Sequence, residues 1–106
     1  MTDGGRIGRY VRMVAVPGKG SVLAGALLRV AEGLRDSPGC ELYVVNLTAD
    51  EPDTVWVTEI WTDEESSDRA LSGDLGEVGI GAVVELLAGP PELVELTPLG
   101  GPGLPA

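Results

Sequence analysis

The stretch Val55-Trp56-Val57-Thr58-Glu59-Ile60-Trp61-Thr62-Asp63-Glu64-Glu65 decides how this sequence is read. Its β-branched and aromatic residues predict a strand that runs directly into a helix start. Side chains alternate along a strand, so Val55, Val57, Glu59 and Trp61 share one face, and Thr54, Trp56, Thr58 and Ile60 share the other. Both tryptophans of the chain lie here, in a sequence with no phenylalanine and no histidine. A glutamate between a valine and a tryptophan on an apolar face is costly to bury unless it is paired or protonated. That cost makes the strand the first place to look for function. Thr62, with Glu65 three residues on, forms a capping-box pattern and predicts a helix from about Asp63 to Leu71.

Working outward, Tyr10–Val16 has the β-branched content of a strand, and Pro17-Gly18-Lys19-Gly20 reads as a turn. Ser21 is the expected N-cap of a helix that reaches about Leu34, because Leu23, Ala26, Leu27, Val30 and Leu34 recur at helical spacing. Ser37-Pro38-Gly39 stops it. Cys40–Leu47 reads as the second strand, and the acidic turn Ala49-Asp50-Glu51-Pro52-Asp53 carries a proline that blocks further pairing. Thr54–Trp61 then closes a hairpin with the second strand. Residues 72–81 are glycine-rich and match no element. Ala82–Ala88 predicts a short helix and Glu92–Thr97 a last strand. Residues 1–8 and 98–106 are expected to be flexible arms around one domain over residues 9–97.

The order β-α-β-β-α-(α)-β is the split βαβ, ferredoxin-like arrangement. It predicts an α+β domain with a four-stranded antiparallel sheet and helices on one face. The other face, with Trp56 and Ile60, is left without cover, and a second subunit is the simplest cover. A chain of 106 residues suits one core and gains from dimerisation.

Seven basic against seventeen acidic residues give a net charge of −10. Such a charge repels nucleic-acid phosphates and anionic membrane surfaces, so neither is an expected partner. No apolar run is long enough for a transmembrane helix or a secretory h-region, and the single cysteine, Cys40, fits a reducing cytoplasm.

Few residues carry candidate chemistry. Gly18-Lys19-Gly20-Ser21 lacks the spacing of a phosphate loop and reads as turn plus cap. Cys40 has no histidine to activate it, and the absence of histidine also weakens zinc, haem and Ser-His-Asp readings. Glu59 and Trp61 form the sharper pair. Facing a sheet–helix cleft, Glu59 would have a raised pKa and move a proton, while Trp61 would wall a pocket for a flat ligand. Asn46 or Arg12 could steady an oxyanion there. The structural alternative pairs Glu59 with Arg12 or Arg69 and makes Trp61 a core residue.

The Pro-Gly turn after the first strand, Ser37-Pro38-Gly39-Cys40 opening the second, the Asp50-Glu51-Pro52-Asp53 turn and Thr58-Glu59-Ile60-Trp61 followed by Thr62-Asp63-Glu64-Glu65 come in a telling order. In that order, from Tyr10 to Leu96, the chain resembles the antibiotic biosynthesis monooxygenase family of dimeric α+β barrels. The resemblance implies a homodimer with facing sheets and a ligand cleft between sheet and helices in each subunit. It further implies oxygenation of a small aromatic substrate, a polyketide or quinol, with no metal or flavin cofactor. Trp61 carries over as a pocket residue and Glu59 as a matching family residue. The family's helix after the tryptophan usually carries an aromatic residue and then a histidine, where this chain has Ser67 and Ala70. Haem-degrading members use a strand-one asparagine and a helix histidine, and this chain has neither. The asparagine that some polyketide oxygenases place four residues before the tryptophan is Val57 here. A non-oxidative cyclase or isomerase, or a ligand-binding dimer without chemistry, are the alternatives for the same cleft.

Overall fold

The computed structural model describes residues 5–72 and 81–104. The elements are β1 (Ile7–Val14), α1 (Gly20–Gly33), β2 (Cys40–Thr48), β3 (Glu51–Trp61), α2 (Glu64–Ser72), α3 (Gly81–Glu85) and β4 (Glu92–Leu96). They form one antiparallel sheet in the order β2-β3-β1-β4, the ferredoxin-like arrangement expected from the sequence. The glycine-rich stretch of the sequence falls largely outside the described residues.

The helix-side core joins Val11, Ala15, Val55, Val57 and Trp61 of the sheet region to Leu23, Ala26, Leu27, Val30 and Leu34 of the first helical segment. All five of those helical residues are the ones whose spacing predicted the buried face. Burying four large aliphatic side chains from one helix contributes on the order of 6–12 kcal/mol before the entropy of ordering the chain is set against it.

Several boundaries differ from expectation, each for a local reason. β1 begins at Ile7 rather than Tyr10 and takes Gly8 from the predicted arm; just before it, Arg6 makes a two-pronged ion pair with Glu41 at 2.6 and 3.0 Å. β3 begins at Glu51 and contains Pro52, so the turn is shorter than the acidic run suggested. The pairing of β2 with β3 is irregular between Leu47 and Thr48, and a proline is tolerated at such an irregularity. α3 is the five residues Gly81–Glu85, shorter than the predicted Ala82–Ala88. Leu87 instead bridges to Ala15 beyond the end of β1.

Ser21 is not the cap of α1. The N-cap position is Lys19, which makes no side-chain cap bond. Asp53, from β3, supplies the carboxylate: Oδ2 accepts from the Gly18 amide at 3.0 Å and Oδ1 from the Gly20 amide at 2.9 Å. The amides that a phosphate loop would offer are therefore engaged within the protein. Gly20 lies so close to β3 that a Cβ there would overlap the Pro52 carbonyl, which explains why this helix opens on a glycine. Asp63, rather than Thr62, caps α2, accepting from the Ser66 amide at 2.7 Å. That bond, aided by the Ser66 hydroxyl, holds the Asp63 carboxyl below the usual carboxylate range.

Candidate functional site

The register places the site residues. β1 pairs with β3 so that Arg9 lies opposite Glu59, Val11 opposite Val57 and Met13 opposite Val55. Directly opposed residues share a face. Arg9 therefore stands on the helix-side face with Glu59 and Trp61, and α2 closes over them with Ser67.

Four side chains meet there. Arg9 Nη1 donates to Glu59 Oε1 at 3.0 Å and to Ser67 Oγ at 2.7 Å. Trp61 Nε1 donates to the same Glu59 Oε1 at 2.7 Å. Glu59 is 5% exposed, while Trp61 and Ser67 are fully buried. The cost of burying a carboxylate is thus met by one cation and one indole N–H. The partner of Glu59 is Arg9, not the Arg12 or Arg69 of the sequence-based structural alternative. Arg69 instead pairs with Glu65 on the surface of α2 at 3.1 Å. Both described bonds to Glu59 end on Oε1, and Oε2 takes neither. Ser67 is the small residue that lets the Arg9 guanidinium reach α2, since its short side chain leaves room and its oxygen accepts.

Two neighbours feel the carboxylate. Tyr43 faces Glu59 across β2 and β3. Burial first, and then Glu59, push its phenol well above the normal tyrosine range. Cys40 is half-buried, and burial, followed by Glu59, raises its thiol pKa. A raised thiol pKa lowers the thiolate fraction, so the cysteine is a poor nucleophile.

Beside this network, a cleft of about 410 Å³ is walled by Ile7, Gly8 and Arg9 of β1, by Glu64 at the start of α2, and by Glu95, Leu96 and Thr97. Among the described residues no group of three or more His, Cys, Asp or Glu could hold a metal ion, and no helix is long and apolar enough to cross a membrane.

Arg12 and Asn46 lie elsewhere. Both stand opposite Trp56, on the face away from the helices, so within one protomer they do not share the cleft of Glu59. The Arg12 guanidinium sits 5.9 Å from the Trp56 ring centroid and pairs with Glu92 at 3.5 Å. Tyr10 stacks on Trp56 at 4.9 Å. Asn46 Nδ2 donates to the backbone oxygens of Val44 and Trp56. Arg9 was not singled out from the sequence, and Ser67 was noted only as standing where the family's helix usually carries an aromatic residue. Strand parity held a signal for Arg9: among Ile7, Arg9, Val11 and Met13 it is the lone charge on an apolar face, as Glu59 is on its own.

The fold and site define a ferredoxin-like α+β domain with a charged network buried under its second helix. The family model for antibiotic biosynthesis monooxygenase matches residues 7–75, and the chain belongs to this family. Its structure is similar to that of a candidate antibiotic biosynthesis monooxygenase from Chloroflexus aurantiacus J-10-fl, with 33% identity, a TM-score of 0.84 and coverage of 95% of this chain and 100% of that one. A counterpart from Caulobacter crescentus CB15 shares the fold at 20% identity, with a TM-score of 0.81 and 92% of each chain covered. Rv0793 from Mycobacterium tuberculosis does so at 21% identity and a TM-score of 0.80, over 92% of this chain and 99% of that one. No curated protein matches the sequence.

Proposed function

We propose that the protein is a cofactor-independent monooxygenase that oxidises an aromatic polyketide or quinol-type substrate with molecular oxygen. Family membership supports the reaction class. The observation that carries the reading is the buried pairing of Glu59 with Trp61, joined at 2.7 Å beside an open cleft. An electron-rich phenolate or enolate can give one electron to oxygen directly. The resulting carbon radical and superoxide combine to a peroxide anion, which takes back the proton removed from the substrate to become a hydroperoxide, and loss of water leaves a carbonyl, so one oxygen atom enters the product and the other leaves as water. The protein then has to take a proton, orient the ring and exclude bulk water. In this reading Glu59 Oε2 accepts the proton and Trp61 stiffens the wall of the cleft.

The reading includes a homodimer. Tyr10, Val44, Val94 and Leu96 lie exposed on the sheet face away from the helices, along with the half-buried Trp56 and Ile60. The Trp56 indole N–H on that face is buried without a hydrogen-bond partner among the described residues. A second copy would cover the apolar side chains and offer an acceptor. Arg12 and Asn46 then belong to the subunit interface.

A second reading has its own observation: Trp61 is fully buried and Glu59 is already engaged by two donors, as in a network that only supports a ligand-binding cleft. Oxygen uptake with anthrone and hydroquinone separates the two. The monooxygenase reading expects substrate-dependent uptake that Glu59→Gln lowers about a hundredfold. Binding of anthrone without oxygen consumption refutes it in favour of a binding protein, and turnover without oxygen points to a cyclase or isomerase.

A further inference from the structure

We infer that Arg9 is the ligand-anchoring cation of the cleft, and that Glu64 and Glu95 on its rim make the cleft select neutral oxygen-bearing ligands over preformed carboxylates. The inference rests on the reading of this cleft as the ligand site.

Arginine carries five N–H donors in a planar fork. Arg9 uses Nη1 for both Glu59 and Ser67, which fixes the plane of the fork, while Nη2 and Nε make neither bond. The same side chain lines the cleft and is 14% exposed. A guanidinium held in one orientation at the wall of a cleft is organised in advance for an oxygen, because little side-chain entropy remains to be lost when the ligand arrives.

The rim works in the other direction. Glu64 and Glu95 are the other charged residues of the cleft wall, and both are exposed. The charge of Arg9 is already matched by Glu59. A ligand that enters as a carboxylate therefore meets two like charges at the mouth and a cation that is already paired. The net charge of −10 adds a repulsive field around the whole molecule. A ligand that enters uncharged, with a hydroxyl or carbonyl oxygen, avoids both costs and can still accept from Nη2 or Nε. The two carboxylates thus exclude competitors while the buried arginine holds the accepted ligand.

Three probes of one ring system test this: 2-naphthol, 2-naphthoate and 2-methylnaphthalene, with dissociation constants measured at low ionic strength on the full chain. The wild-type protein is expected to bind naphthol about tenfold or more tighter than methylnaphthalene, from a hydrogen bond to a charged donor. It should also bind naphthol tighter than naphthoate. Glu64→Gln/Glu95→Gln should raise naphthoate affinity several-fold and leave naphthol within about twofold, with high salt acting in the same direction. Arg9→Met should bring naphthol down to the level of methylnaphthalene. Arg9→Lys keeps a positive charge against Glu59 but loses the fork, so a folded Arg9→Lys protein is expected to lose the naphthol preference as well. A merely structural Arg9 would leave that preference intact in the folded Lys variant, and this outcome overturns the anchoring role. Naphthoate binding tighter than naphthol in the wild type overturns the charge rule while the cleft stands as a ligand site. Failure of the wild type to bind any of the three overturns the cleft itself, and with it the reading on which this inference rests.

Discussion

Removing Arg9 should show how strongly the buried network is coupled. In Arg9→Met the side chain keeps an unbranched stem but loses its charge, its 3.0 Å bond to Glu59 and its 2.7 Å bond to Ser67. Glu59, only 5% exposed, is left with Trp61 alone. Taking one partner from a buried ion pair costs about 3–5 kcal/mol. Glu59→Gln is milder: its amide oxygen can still accept from Trp61 and Arg9, and what is lost is the charge on one bond, about 1–2 kcal/mol. In the double variant no carboxylate is stranded. Its destabilisation should therefore fall short of the sum of the two single effects by about 1.5–3 kcal/mol, within the range of contacting pairs. Urea titration at one fixed protein concentration gives the three values, with an unchanged m-value as the check that the transition is comparable. For a domain of roughly this size, about 3 kcal/mol corresponds to a melting temperature lowered by at least about 12 °C. Additivity of the two single effects within about 0.5 kcal/mol would falsify the coupled network.

Other expectations follow from single contacts. Gly20→Ala drives a Cβ into the Pro52 carbonyl, so it should cost about 3 kcal/mol or more, or prevent folding, as read by circular dichroism and urea titration; a variant within about 0.5 kcal/mol of wild type would show that α1 and β3 part easily. Tyr43 is held protonated by burial and by Glu59, so ultraviolet titration should find one tyrosine that does not ionise in the folded protein where an ordinary phenol, near 10, does. Because its folded pKa is raised, the stability it contributes is present below that range and lost as pH rises above it; Tyr43→Phe should flatten the alkaline limb. Asp63 has the opposite sign: its carboxyl is depressed by the Ser66 amide, so its contribution is present above the usual 3.8 and lost as pH falls through the lower folded value. Protection of the amides in the first turn of α2, taken relative to their intrinsic exchange rates, should fall on acidification in the wild type, and should be low at all pH values in Asp63→Ala.

The periodicities in the sequence were enough to determine the faces of the elements and their order. Alternation put Val55, Val57, Glu59 and Trp61 together, and all four are buried. Helical spacing named Leu23, Ala26, Leu27, Val30 and Leu34, and these face the sheet. Such patterns are legible because burial of one face is a local property of a strand or helix, repeated every few residues. Tertiary structure alone decided which charges meet. Arg9 and Arg12 are three residues apart and therefore on opposite faces of β1, yet the sequence does not say which face turns towards α2. The β1–β3 register settles it by placing Arg9 against Glu59 and Arg12 against Trp56. The β2–β3 register, which sets Asn46 against Trp56, carries Asn46 to the face away from the helices. Capping was misplaced for a related reason: Ser21 was the local choice, but Asp53, distant in sequence and adjacent in space, reaches the Gly18 and Gly20 amides first. A one-residue change of register moves a side chain through the sheet, so the partner of a buried charge is fixed by strand pairing and not by the neighbours it has along the chain.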